Sequence, residues 1–122
     1  MPFSYLLTNL LVEVPEAVGA IFLDPEGEAV EWVSKHQRDP YDLKVEGAYH
    51  SIFKRQLEEV TESSTSGSLR SYIFSGRNLV TLTQLLPDGY YVLLVVHRTS
   101  LPGLARHHLR RVARAIAQEL NA

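Results

Sequence analysis

A chain of 122 residues, 45% hydrophobic and 21% charged, has the size and apolar content of one globular domain around one core. It contains no cysteine, which excludes disulfides, thiol catalysis and zinc–thiolate sites. Its net charge of -2 conceals an asymmetry: the six charges from Met1 to Ser34 are all acidic, whereas the stretch from Arg98 onward holds five arginines and one acid, Glu119.

Phe3–Val14 reads as a helix, because Leu7, Leu10, Leu11 and Val14 fall on one helical face. Ser4 is expected to cap it, with Phe3 before the cap, and Pro15 ends it. No basic residue precedes Lys35, so this first segment lacks the basic region of a secretory signal. The longest apolar run, Tyr90–Val96, falls far short of the ~20 residues of a spanning helix. A cytoplasmic protein is therefore expected.

Ala17–Leu23 is apolar on both strand faces, with Val18, Ala20 and Phe22 on one and Gly19, Ile21 and Leu23 on the other. A strand of that kind belongs inside its sheet. Asp24-Pro25-Glu26-Gly27 has the chemistry of a tight turn. Glu28–Ser34 mixes Glu28 and Glu31 with Val30, Trp32 and Val33, as an edge strand does. Trp32, the only tryptophan, is either a binding anchor or, by the commoner use of the residue, packed beneath a terminal helix.

Lys35–Pro40 is a polar connection, after which Asp42 is expected to cap a helix running to about Glu62. Val45, Ala48, Tyr49, Ile52, Phe53, Gln56, Leu57 and Val60 form a stripe along it, broader than one face packed on a sheet requires. Ser63–Ser68 is a loop. Leu69–Ser75 alternates as a strand, with Arg70, Tyr72 and Phe74 on one side and Leu69, Ser71 and Ile73 on the other. Gly76–Asn78 turns into the strand Asn78–Leu86, and Pro87-Asp88-Gly89 turns into Tyr90–His97, apolar on both faces. Pro102 suits the first turn of a final helix to about Leu120. That helix buries Ala105, Leu109, Val112, Ala113, Ile116 and Leu120 and lines another face with Arg106, Arg110 and Arg114.

The expected order is α-β-β-α-β-β-β-α in a single domain, residues 1–122. It forms a three-layer α/β architecture, because two doubly covered strands need helices on both sides of the sheet.

Neither a G-x-x-x-x-G-K-[ST] nor a G-x-G-x-x-G pattern occurs, so the chain does not read as a nucleotide hydrolase or a dinucleotide enzyme. His107 and His108 point about 100° apart on a helix and cannot share a metal as i, i+4 ligands do. Glu13 and Glu16 have no visible acid–base partner and read as solvated charge. No cofactor, metal or active site is expected. Arg106, Arg110, Arg111 and Arg114 could contact phosphates, but the pI of about 6.2 and the lack of aromatics on their helix argue against nucleic acid. A solvated face, and docking to an acidic partner, are the other readings of these arginines.

This order of elements resembles the dynein light-chain roadblock family. Carrying the resemblance are Val18-Gly19-Ala20-Ile21 leading into Asp24-Pro25-Glu26-Gly27-Glu28, the hairpin Leu85-Leu86-Pro87-Asp88-Gly89-Tyr90-Tyr91-Val92-Leu93, and Leu101-Pro102-Gly103-Leu104-Ala105-Arg106. It implies a profilin-like fold with a five-stranded antiparallel sheet, the long helix on one face and the terminal helices on the other. It also implies a homodimer joined through the strand after the long helix, with the two long helices side by side; the free edge of Leu69–Ser75 and the excess width of the helical stripe then place Tyr49, Ile52, Phe53, Gln56, Val60, Leu69, Ser71 and Ile73 at the expected interface. Members similar to the MglB-like regulators bind small Ras-like GTPases without chemistry of their own, and this chain is expected to regulate or scaffold one, with a GTPase-activating effect as one form of regulation. Arg70, Arg106, Arg110 and Arg114 are the candidate partner-binding residues. The alternative function is a profilin-like sensory domain that binds a small molecule.

Overall fold

The structure is a computed structural model that describes residues 2–35, 40–98 and 102–121. The elements follow the expected order: α1 (Pro2–Glu13), β1 (Ala17–Leu23), β2 (Ala29–Ser34), α2 (Pro40–Glu62), β3 (Ser71–Ser75), β4 (Leu79–Leu85), β5 (Tyr91–His97) and α3 (Pro102–Leu120). The strands form one antiparallel sheet in the order β2-β1-β5-β4-β3. α1 and α3 cover one face and α2 the other, so the fold is the expected three-layer, profilin-like α/β arrangement.

Two helix starts differ from expectation. α1 and α2 both begin on a proline, Pro2 and Pro40, which is already set for the first helical turn and has no N–H to leave unpaired. Ser4 and Asp42 therefore sit inside their helices rather than as caps. Most of the connection expected at Lys35–Pro40, residues 36–39, lies outside the described residues, as does Leu101.

The main core lies between α1, α3 and the sheet. Leu7, Leu10 and Leu11 of α1, Val14 just beyond it, and Ala105, Leu109, Val112 and Ile116 of α3 meet Ala20, Phe22, Val80, Leu82, Val92, Leu94 and Val96. A second cluster on the α2 side holds Val18, Ile21, Leu23, Tyr91, Leu93 and Val95. Every residue of β1 is buried, as a strand flanked by β2 and β5 and covered on both faces must be.

Val18 was expected on the face of Ala20 and Phe22 but belongs to the opposite cluster. The register against β5 steps from Ala17↔Val96 to Gly19↔Val95, so two residues of β1 oppose one of β5. That bulge resets the alternation and sends Val18 to the α2 side.

The turns bring the hairpins close to other elements. Asp24 Oδ1 accepts the N–H groups of Glu26 at 2.9 Å and Glu28 at 3.0 Å. Gly27 closes this turn at φ +88, and a β-carbon there would lie 2.9 Å from Ser51 Cβ on α2. At the other hairpin, Asp88 and Gly89 both adopt positive φ, which lets the chain double back from β4 to β5.

Candidate functional site

α2 faces the sheet with its polar side. Its most buried positions are Gly47, His50 (3% exposed) and Lys54 (6% exposed), spaced along one helical face. Gly47 permits a close approach: a β-carbon there would lie 2.6 Å from Leu23 Cδ2. The Tyr91 hydroxyl then reaches the helix backbone and donates to the Gly47 carbonyl at 3.1 Å. Thr81 Oγ1 donates to Glu46 Oε1 at 2.7 Å, and His50 Nδ1 lies 3.0 Å from the Tyr72 hydroxyl. Lys54 Nζ sits 3.4 Å from Glu58 Oε1 and 5.2 Å from the centre of the Tyr91 ring. His50, Lys54, Thr81 and Tyr91 thus each have a partner, which is the condition for their burial, whereas the Thr83 hydroxyl, buried on the same face of β4, makes no hydrogen bond among the described residues.

Burial perturbs His50, Tyr72 and Tyr91. It lowers His50 below its ordinary value, against the opposing pull of Glu46, and so favours the neutral ring. It pushes Tyr72 up to about 12 and Tyr91 higher still, keeping both phenols protonated.

The apolar stripe of α2 points to solvent. Tyr49 is 59% exposed, Ile52 51%, Phe53 38% and Val60 63%, and Gln56 is exposed among them. The stripe was read as broader than sheet packing requires. In fact most of it is turned away from the sheet, because the inward positions are taken by Gly47, His50 and Lys54. Beside it, β3 is an edge strand paired only with β4. Phe74, 40% exposed, closes an open hollow of about 460 Å³ with Phe53, Gln56, Leu57 and Val60.

The residues expected at a dimer surface fall into two groups. Tyr49, Ile52, Phe53, Gln56 and Val60 lie together on the outer side of α2. On β3, Tyr72 and Phe74 face α2 through their contacts with His50. Ser71 and Ile73 alternate to the other face of the strand, Ile73 exposed and Ser71 half-buried, and Leu69 precedes the strand and is half-buried. Phe74 was missed. Its place on the Tyr72 side of the alternation was legible, but which side α2 would cover was not.

A second surface lies on the α3 side. Arg70, Arg106, Arg110 and Arg114 line one cleft of about 290 Å³ with Ser71, Gln84, Leu85, Leu86, Pro87, Ala113 and Ala117. The four candidate partner-binding arginines are thus brought together, Arg70 from the start of the β3 hairpin and the others from α3. Arg111 points elsewhere and pairs with Glu13 of α1, whose Oε2 also lies 2.9 Å from His108 Nδ1. Glu13 was read as solvated charge. It is instead a tie between the first and last helices. Trp32 lies beside α2, with Lys44 Nζ 3.6 Å over its ring, and not beneath a terminal helix. Among the described residues no group of histidines and carboxylates could hold a metal, and no helix is long and apolar enough to cross a membrane.

No protein-family model matches the chain, and no curated protein matches it. Solved structures do. A Roadblock/LC7 domain from Streptomyces avermitilis superposes with a TM-score of 0.86 at 14% identity, covering 98% of each chain. The chain has the roadblock fold. Myxococcus xanthus MglB matches with a TM-score of 0.88 at 8% identity, over 99% of this chain and 96% of that one. MglC from Myxococcus xanthus matches with a TM-score of 0.71 at 21% identity, over 98% and 99%. The roadblock fold accounts for the sheet order and for the helices on its two faces. At these identities the likeness extends to the fold alone.

Proposed function

We propose that this chain is a homodimeric, non-catalytic regulator or scaffold of a small Ras-like GTPase, assembled through α2 and the edge strand β3. One observation carries the dimer: α2 buries a polar face against its own sheet and leaves Tyr49, Ile52, Phe53 and Val60 to solvent. A contiguous exposed apolar patch of that kind marks an interaction surface. Covering one large apolar side chain contributes up to ~1.5–3 kcal/mol, so several on each subunit can offset the entropy lost on association. The unpaired side of β3 lies next to this patch, and an edge strand is a ready template for a second copy. Together they suit an interface in the standard range of ~1,200–2,000 Å².

The GTPase-pathway reading is supported by the fold shared with structures named MglB and MglC. In such a role the chain acts on hydrolysis by arranging the partner's residues, or by presenting an arginine to the phosphates.

Two measurements test the reading. Light scattering at micromolar concentration is expected to give twice the monomer mass. A pull-down against Ras-like GTPases, loaded in turn with GDP and a GTP analogue, is expected to show capture that depends on the nucleotide. A monomer at all concentrations refutes the dimer, and capture in neither state refutes the partner.

A further inference from the structure

We infer that the cleft between α3 and the β3–β4 end of the sheet binds an extended acidic segment of a partner protein. Its four arginines, Arg70, Arg106, Arg110 and Arg114, surround one recess of about 290 Å³. Among the described residues none of the four forms an ion pair, whereas Arg111 on the same helix is paired with Glu13. α3 therefore sorts its arginines: the one facing α1 is neutralised and the three facing the cleft are not. Like charges at i, i+4 repel, and Arg70 adds a fourth charge from the opposite wall. An anionic occupant relieves that repulsion.

The floor and spacing narrow the occupant. Leu86, Ala113 and Ala117 form an apolar floor, and Gln84 is committed, donating from Nε2 to the Arg70 carbonyl at 3.2 Å. Arg106, Arg110 and Arg114 recur every ~6 Å along ~12 Å of helix. An extended peptide presents alternate side chains every ~6.6–6.8 Å, close to the same repeat. Carboxylates at positions i, i+2 and i+4 can each meet one guanidinium, whose planar fork accepts a carboxylate in bidentate geometry. The intervening side chains rest on the apolar floor. No aromatic residue lines the recess, so it lacks the stacking surface of a single-stranded nucleic-acid site. The arginines flank a hollow and its Leu86 is half-buried, whereas a membrane-binding face projects apolar side chains outward.

The cleft opens on the α3 side of the sheet and α2 lies on the other, so this site meets the proposed dimer surface only at the start of β3, where Ser71 belongs to both. Either proposal can fail without the other.

Fluorescence anisotropy of the full chain with a labelled ten-residue peptide of alternating glutamate and alanine tests the site, with the glutamine–alanine peptide as control. Saturable binding of the acidic peptide is expected, weakening as salt rises toward a Debye length of ~3 Å. The triple variant Arg106→Ala, Arg110→Ala, Arg114→Ala is expected to lose about tenfold or more in affinity, and Arg70→Ala several-fold. The matched Arg→Lys triple variant keeps the charge and is expected to fall between, showing that guanidinium geometry contributes. Arg77→Ala, exposed in the β3–β4 turn, is expected to bind like the unmodified chain. The proposal is overturned if the acidic peptide does not bind, if the glutamine peptide binds equally well, or if a well-folded triple variant keeps full affinity. It is equally overturned if these arginines bind a single-stranded oligonucleotide or phosphatidylserine vesicles in preference to the peptide.

Discussion

The ring of His50 is stacked on that of Tyr72, 5.8 Å between centroids and 10° from parallel, with its Nδ1 3.0 Å from the tyrosine hydroxyl. Phe53 and Phe74 meet the same imidazole edge-on at 5.6 and 5.2 Å. A titratable group is thus enclosed by three aromatic rings beneath the outward patch of α2.

Acid should weaken the fold through this residue. Burial holds His50 below 6.5, so the unfolded chain takes up a proton at a pH where the folded chain refuses it. The contribution of neutral His50 is complete above 6.5 and is lost as pH falls from there through the lower folded value. Urea denaturation across this window is expected to show stability falling with pH. His50→Gln should flatten that part of the profile, although it lowers stability at neutral pH. An unchanged slope in the variant would count against the assignment.

Gly47→Ala should destabilise the chain by ~1–3 kcal/mol, the usual cost of forcing a methyl group into a filled core. The new β-carbon would meet Leu23 Cδ2 at 2.6 Å, and Leu23 is fully buried and cannot simply swing aside. Pushing α2 outward would also stretch the 3.1 Å bond from the Tyr91 hydroxyl to the Gly47 carbonyl. Chemical denaturation measures the loss. A variant as stable as the parent would mean that α2 shifts freely.

Much of this framework was readable from residue types. β1 and β5 announced themselves as covered strands by apolar residues on both faces, and Leu7, Leu10, Leu11 and Val14 marked the buried side of α1 by spacing. The orientation of α2 was not readable. An apolar stripe is ordinarily taken as the inward side, and His50 and Lys54 become acceptable core residues only once Tyr72, Glu58 and Tyr91 are known to meet them. The arginine face of α3 followed from i, i+4 spacing. That Arg70 would stand across from it depended on the path of β3 and β4, which no local pattern encodes.

Ile52→Glu should separate folding from self-association. Ile52 is 51% exposed in the lone subunit, so its replacement is expected to change subunit stability by no more than ~0.5 kcal/mol. In an assembled dimer the same carboxylate would be buried without a partner, and light scattering is expected to report monomer. A variant that stays dimeric would move the interface away from α2.

Glu13→Gln should have a small, salt-sensitive effect. Glu13 joins α1 to α3 through Arg111 and His108, but the pair is partly exposed, and such bridges contribute ~0–1 kcal/mol. Thermal denaturation at low and high salt is expected to show the difference between variant and parent shrinking as salt rises. A large loss that ignores salt would mean that the carboxylate is essential to packing.

Gly27→Val should cost more than its place in a turn suggests. The residue sits at φ +88, where a β-branched side chain is strained, and the added atoms would press on Ser51 of α2. A fall in thermal midpoint of several degrees is expected, in line with ~1–3 kcal/mol for a domain of this size. A midpoint within error of the parent would show the turn to be compliant.

Because α1 and α3 share one layer, residues 2 and 121 both belong to the side of the molecule away from α2. An affinity handle, a fluorophore or a carrier protein fused at either end therefore projects from that side. Immobilising the chain by such a fusion leaves the long helix free to meet whatever is passed over it.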